Sequence, residues 1–295
     1  MRWEKLRRSQ NVEDRRGQRM ARRPAAAGGG CGIILILILA LVFQVNPLEL
    51  LSQSGAGLDQ QTHQTQQSGA AASDEMAEYV KATLGSTEEE WTHIFGQYNR
   101  QYRLPKLVNY SGQTRMLTGG VAQASTGPFY LPVEETIYLD TDFFLELRRL
   151  SRDRSRDYDF APAYVIAHEV AHHLQKLLGY TDRVHGSRGR VSKREYNQLS
   201  VRLELQADFP AGVWAHHANK RMMAREGHTL LEAGDIEEAM RAAQAIGDDA
   251  LQGDRAVPDS FTHGTSEQRL RWFTKGYRSG DPNQGDTFKV PYEQL

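Results

Sequence analysis

The chain has 295 residues, of which 39% are hydrophobic and 25% are charged. This composition is typical of a largely water-exposed protein with one or two domains, and it excludes a protein with several membrane spans. The single cysteine, Cys31, excludes an intramolecular disulfide and a zinc site built from cysteines.

Charge is distributed unevenly, although the formal net charge is only −1. Residues 1–27 hold nine basic and three acidic side chains, and they are followed by an unbroken apolar run at 33–43. About 20 helical residues cross the roughly 30 Å apolar layer of a bilayer. We therefore expect a basic head at 1–27 and one transmembrane anchor at 28–48.

The basic residues also predict the orientation of this anchor. After Arg23 the next lysine or arginine is Lys81, so the positive-inside rule places the N-terminus in the cytoplasm and the domain on the periplasmic or extracellular side. No small-residue cleavage site follows the apolar run, so we expect the anchor to be retained. The head then acts as a topology signal, and we expect no nucleic-acid partner.

A flexible linker is predicted at 49–73, where Gln, Ser, Gly and Ala dominate, and one globular domain is predicted at 74–295. The domain is expected to begin with two helices, 74–84 and 86–98, separated by Gly85. The second of these starts with a capping-box pattern of serine and glutamate three residues apart.

After these two helices the sequence pattern becomes typical first of strands and then of helices. Short apolar runs between Gly and Pro predict strands of a small sheet at 106–110, 120–124, 129–131 and 136–139. Helices are predicted at 141–150, 162–178, 193–217 and 235–246, with a last helix from Ser266. Strands followed by several helices indicate an α+β fold dominated by helices.

The helix predicted at 162–178 carries the pattern His168-Glu169-Val-Ala-His172. Histidines four residues apart project from one helix face, so His168 and His172 can bind one metal ion. Glu169 follows the first histidine directly, which places its carboxylate beside the metal, where it can act as a general base. His173 points away from this face, and we expect it to pack in the core or at the surface.

Catalytic zinc takes three protein ligands and leaves one position open. On the next predicted helix Glu204 and Asp208 are also four residues apart and share a face. We expect Glu204 to be the third ligand and Asp208 to accept a hydrogen bond from a ligand histidine. The alternatives for the third ligand are His185, His216, His217, His228 and His263.

These motifs, together with the segment from His263 to Arg269, resemble the family of neutral zinc metallopeptidases, bacterial membrane-anchored proteins similar to the gluzincins. The resemblance also takes in the segments 11–17, 127–130 and 245–249. It implies a zincin-like domain with one zinc ion per chain. It further implies that the protein hydrolyses peptide bonds in a peptide or protein substrate with a zinc-activated water.

The resemblance also implies a group that stabilises the oxyanion of the reaction, since gluzincins use a downstream histidine or tyrosine for this purpose. His263 is the candidate, and Tyr130 and Tyr138 are weaker candidates. Zincins place an edge strand before the motif helix, so we expect the strand at 136–139 to pair with an extended substrate.

Two other functions stay open. The domain could be a zinc-bearing module without proteolytic activity that binds partners at the cell envelope. It could also be a hydrolase that acts on another bond with the same zinc site. The presence of Glu169 favours an enzyme, because a structural zinc site does not require that carboxylate.

Overall fold

The computed structural model describes residues 1–17, 68–151, 159–252 and 257–295. The strands are β1 (Val12–Asp14), β2 (Lys106–Tyr110), β3 (Gln113–Arg115), β4 (Val121–Gln123), β5 (Phe129–Leu131) and β6 (Thr136–Asp140). The helices are α1 (Ser68–Gln97), α2 (Phe143–Leu150), α3 (Phe160–Leu177), α4 (Tyr180–Gly186), α5 (Lys193–Glu226), α6 (Asp235–Ala245), α7 (Asp248–Gln252) and α8 (Ser266–Ser279). The predicted α+β fold dominated by helices is confirmed.

Four strands form one sheet in the order β1-β2-β6-β5, and β3 pairs with β4 in a separate hairpin. β1 and β6 run parallel to β2, while β5 is antiparallel to β6. β6 therefore has a neighbour on each side, and the prediction that residues 136–139 form the edge strand is wrong. The edge strands of this sheet are β1 and β5. The prediction failed because the sequence pattern of a strand does not reveal which strands pair with it.

Helix α1 is continuous, which contradicts the predicted break at Gly85. The N-terminal segment crosses α1 at this glycine, where a Cβ atom would collide with the carbonyl oxygen of Arg7. The glycine therefore permits a close approach of two backbones. Ser86 lies inside the helix and accepts a hydrogen bond from Trp214 Nε1 at 3.1 Å, so it does not cap a second helix.

Two glycines bring α5 and α8 into direct backbone contact. A Cβ atom at Gly212 would collide with the carbonyl oxygen of Phe273, and one at Gly276 would collide with that of Phe209. This close approach fixes the position of α8 relative to α5. It thereby places the N-terminal half of α8 next to the contact between α3 and α5.

Residues 1–17 belong to the same folded unit as the helices. β1 adds to the sheet beside β2, with Val12 opposite Leu107. Glu88 of α1 accepts hydrogen bonds of 2.7 Å from both Ser9 Oγ and Asn11 Nδ2. The predicted head at 1–27 is therefore packed, over its described part, against the predicted domain.

The predicted anchor at 28–48 lies outside the described residues, and α1 begins within the predicted linker at 49–73. Among the described residues no helix has the length and apolar character needed to cross a membrane. A single crossing between residues 17 and 68 would place β1 and β2 on opposite sides of the bilayer. This pairing instead keeps residues 1–17 and the described part of the domain on one side of any membrane.

The side of the membrane can be tested with Lys5→Cys and Arg190→Cys, each made in a Cys31→Ser background. Both positions are exposed, one in the N-terminal segment and one in the domain. In intact cells a membrane-impermeant maleimide should label both cysteines or neither, because β1 of the N-terminal segment pairs with β2 of the domain. Both should react after permeabilisation, and labelling of only one cysteine in intact cells would contradict the fold.

Candidate metal centre

Helix α3 presents the predicted motif to a cleft beside α5. It begins at Phe160, and most of its side chains are buried in the core. His168, Glu169 and His172 line the cleft together with Glu204 of α5. The spacing of four residues thus places both histidines on one face, where they meet the neighbouring helix.

The side chains of His168, His172 and Glu204 converge on one point. Their ligand atoms all lie within 4.8 Å of one another. His168 Nε2 is 3.3 Å from Glu204 Oε2, and His172 Nε2 is 3.7 Å from Glu204 Oε1. A tetrahedral zinc ion with ligand distances of ~2.0–2.1 Å has ligand atoms ~3.3 Å apart, so these residues fit that ion.

Each of the two histidines is held through its other ring nitrogen. His168 Nδ1 donates to Asp208 Oδ1 at 2.8 Å, and His172 Nδ1 donates to Gln175 Oε1 at 2.9 Å. Since both partners are acceptors, Nδ1 carries the hydrogen in each ring and Nε2 is the atom directed at a metal ion. These contacts therefore orient both rings so that each Nε2 atom can bind the same metal ion.

The buried charges beside these rings shift their protonation. Burial alone would lower the pKa of His168, but the adjacent Asp208 and the hydrogen bond that the ring donates to Glu204 raise it to about 9. Burial would raise the pKa of Glu204, yet the charges of His172 and His168 hold it well below its ordinary value. Glu204 is therefore a carboxylate at neutral pH, and a metal ion must displace a proton from His168.

Asp208 is fully buried on α5, and three groups compensate its charge. Besides His168, it accepts hydrogen bonds from the Tyr164 hydroxyl at 2.6 Å and from Nε and Nη2 of Arg269 at 3.0 Å. Arg269 is only 2% exposed, and a guanidinium is stable there only beside a carboxylate. Sequence reasoning placed Asp208 at a ligand histidine but gave no role to Tyr164 or Arg269.

Gln175 is another residue that sequence reasoning missed. Its Oε1 atom holds His172, while its Nε2 atom donates to the carbonyl oxygen of Leu203 at 2.6 Å and to Gln206 Oε1 at 3.2 Å. Gln175 therefore ties one ligand histidine on α3 to the backbone of α5 beside Glu204. A single glutamine within an amphipathic helix gives no sequence signal for such a contact.

The alternative third ligands do not join this group. His185 and His263 line the cleft, but their atoms are not among those that converge. The rings of His216, His217 and His228 contact backbone carbonyl groups instead.

His263 faces the cleft from the loop before α8, and Asp248 at the start of α7 fixes it there. Asp248 Oδ1 is 3.1 Å from His263 Nδ1, and Oδ2 accepts the backbone N–H groups of Thr262, His263 and Gly264. Burial lowers the pKa of His263, but Asp248 and Glu204 outweigh it and raise the pKa. The ring is therefore held with Nε2 free of this loop contact and with its cationic form favoured.

The two tyrosines considered for the oxyanion are engaged elsewhere. His173 is fully buried, and its Nε2 atom donates to the carbonyl oxygen of Arg103, so its Nδ1 atom accepts from the Tyr130 hydroxyl at 2.9 Å. The Tyr138 hydroxyl donates to Glu134. His173 is therefore a core residue, as expected. Of the three candidates, His263 is the one that keeps a donor, Nε2–H, outside its contacts with described residues.

A second acidic group consists of Asp159, Asp235 and Glu238, which lie close enough together to hold a cation. The ammonium group of Met1 already lies 2.7 Å from Asp159 and 3.2 Å from Asp235. Glu238 accepts the backbone N–H of Ala161, at the start of α3. These carboxylates therefore anchor the N-terminal segment and α3, and they are not a second metal site.

The contact between Asp208 and His168 predicts how zinc affinity responds to Asp208→Asn. Loss of the carboxylate charge should weaken zinc binding about 10- to 100-fold, as for other residues that hold ligand histidines. Competition with a chelator measures the affinity, and thermal unfolding of the metal-free variant checks that it folds. Asp182→Asn, which changes an exposed carboxylate on α4, is the control. Equal affinities in the two variants would contradict this role.

Comparison with known proteins agrees with this geometry. The sequence signature of the family described as "Putative neutral zinc metallopeptidase" matches residues 1–288. The chain is 45% identical to the uncharacterized protein YpfJ of Escherichia coli K12, covering 98% of this chain and 99% of that one. It is 39% identical to the uncharacterized protein Rv2575 of Mycobacterium tuberculosis H37Rv, covering 84% and 82%. No solved structure matches the chain significantly. The chain therefore belongs to the neutral zinc metallopeptidase family.

Proposed function

We propose that this protein is a zinc-dependent peptidase that hydrolyses peptide bonds in the cleft between α3 and β5. The observation that carries the proposal is the convergence of His168, His172 and Glu204 beside Glu169. Those three side chains would hold one zinc ion per chain. When bound, zinc lowers the pKa of a coordinated water and polarises the scissile carbonyl group.

Glu169 is the proposed general base. It lines the cleft next to His168, and it forms none of the hydrogen bonds that hold the ligand histidines. Its carboxylate takes a proton from the attacking water and delivers it to the nitrogen of the leaving amine. A binding module without catalysis would have no use for a carboxylate in this place.

His263 is the proposed oxyanion donor. Asp248 fixes its Nδ1 atom, so Nε2–H of the protonated ring can donate to the oxygen that becomes negative when water attacks. Burial lowers the pKa of His263, but the hydrogen bond to Asp248 raises it, which supports the protonated form.

The substrate is proposed to be an extended peptide segment that pairs with the edge strand β5. Phe129 and Tyr130 of this strand line the cleft, which has a volume of about 450 Å³. The walls on either side are mainly apolar and include Phe143, Val165 and Leu203. β-strand addition would supply main-chain hydrogen bonds, and these walls favour apolar side chains next to the scissile bond.

Attachment to a membrane through residues 28–48 remains part of the proposal. It rests on the uncharged, apolar composition of that segment. A single crossing there would separate β1 from β2, so the packing of residues 1–17 on the domain favours attachment without a crossing.

The general base is tested by Glu169→Gln, which keeps the size of the side chain but cannot accept the proton. Zinc content should stay at one ion per chain, and cleavage of casein or of a peptide library should fall below detection. Glu267→Gln, on the exposed face of α8, is a matched control. Undiminished cleavage by Glu169→Gln would overturn the mechanism, and a wild-type protein with zinc but no cleavage of any peptide would favour the binding module.

The oxyanion donor is tested by His263→Ala. The value of kcat should fall by roughly 10²–10³, the usual loss for one oxyanion donor, while KM and zinc content change little. His185→Ala removes another histidine of the same cleft and should cost far less. If His263→Ala instead loses zinc, His263 is a ligand, and the assignment of Glu204 is wrong.

A further inference from the structure

A second cavity lies beside the C-terminal half of α3, on a different face of the helix from the candidate metal centre. It has a volume of about 450 Å³, within the usual range for small-molecule sites. The C-terminal end of α1, the C-terminal half of α3, the middle of α5 and the segment 282–289 enclose it. None of the proposed catalytic residues lines this cavity.

The interior of this cavity is lined mainly by buried apolar side chains. Trp91, Ile94, Leu174 and Phe209 line it, and each is less than 5% exposed. Two buried glutamines, Gln175 and Gln206, also line it, and the amide of Gln175 is already bonded to His172, to the carbonyl oxygen of Leu203 and to Gln206. Of these four apolar residues only Trp91 carries a polar atom, its indole nitrogen. A polar group on a ligand would therefore lose its hydration there, so the part of a ligand inside must be apolar.

The mouth of the cavity has a different character. Tyr98 and Leu178 are 49% and 47% exposed there, which leaves apolar surface at the rim. Arg100 lines the mouth, is exposed, and has no hydrogen bond or ion pair through its guanidinium with any described residue. The other lysine or arginine of the lining, Lys289, is paired with Asp286 at 3.1 Å. The free positive charge at the entrance therefore belongs to Arg100.

We propose that this cavity binds an aliphatic carboxylate. The alkyl chain enters between Trp91, Leu174 and Phe209, and the carboxylate stays at the mouth, where it pairs with the guanidinium of Arg100. A planar guanidinium suits a carboxylate because it can donate two parallel hydrogen bonds. The proposal does not rest on the proposed peptidase activity, although Gln175 lines this cavity and also holds His172 of the candidate metal centre.

The full-length protein can be tested with decanoate at concentrations below its micelle formation. Trp91 lines the cavity, so binding should change the tryptophan fluorescence in a saturable way. Trp91→Phe should abolish that change while calorimetry still detects binding. Decanol has the same chain without the charge, and butyrate has the charge with a short chain. Both should bind more weakly than decanoate.

Arg100→Gln tests the charged end of the site. Its affinity for decanoate should fall about fivefold, as expected for a solvent-exposed ion pair, while its affinity for decanol stays the same. Arg149→Gln, at an exposed arginine on α2, is the control and should bind decanoate like the wild type. Absence of saturable binding, equal loss in both variants, or a fluorescence change that survives in Trp91→Phe would each overturn the proposal.

Discussion

The buried carboxylate of Asp208 is the interaction on which the candidate site depends. It accepts hydrogen bonds from His168 and Tyr164 on α3 and from Arg269 on α8, so it joins three helices at one point. Neither Asp208 nor Arg269 could remain charged in this position alone, because an unpaired buried charge costs several kcal/mol, on the order of 3–5. The three helices must therefore pack in this register, and the register brings Glu204 to the two histidines.

Local sequence patterns predicted the parts of the site that lie within one helix. The spacing of four residues placed His168 with His172, and it placed Glu204 with Asp208, because both pairs follow from helix geometry alone. Contacts between distant segments left no such pattern. Asp248 contacts His263 across 15 residues and Arg269 contacts Asp208 across 61, and neither pairing could be predicted from periodicity.

The same limit explains the corrections to the fold. The strands at 106–110, 129–131 and 136–139 were predicted from their apolar runs, whereas the order that makes β5 an edge strand depends on pairing. The short strand β1 has the sequence Val-Glu-Asp, which shows no apolar alternation, so its place in the sheet was not predicted. Gly85 was interpreted as a helix break because a close approach of Arg7 cannot be recognised from the helix itself.

The central claim is that His168, His172 and Glu204 hold one zinc ion. Anomalous diffraction from crystals of the zinc-loaded protein, recorded above and below the zinc absorption edge, tests it most directly. The account predicts one anomalous peak per chain, within about 2.0–2.2 Å of the two Nε2 atoms and the Glu204 carboxylate. A peak bound by His263 or His185 in place of Glu204, or a peak only at the acidic group around Asp159, would contradict it.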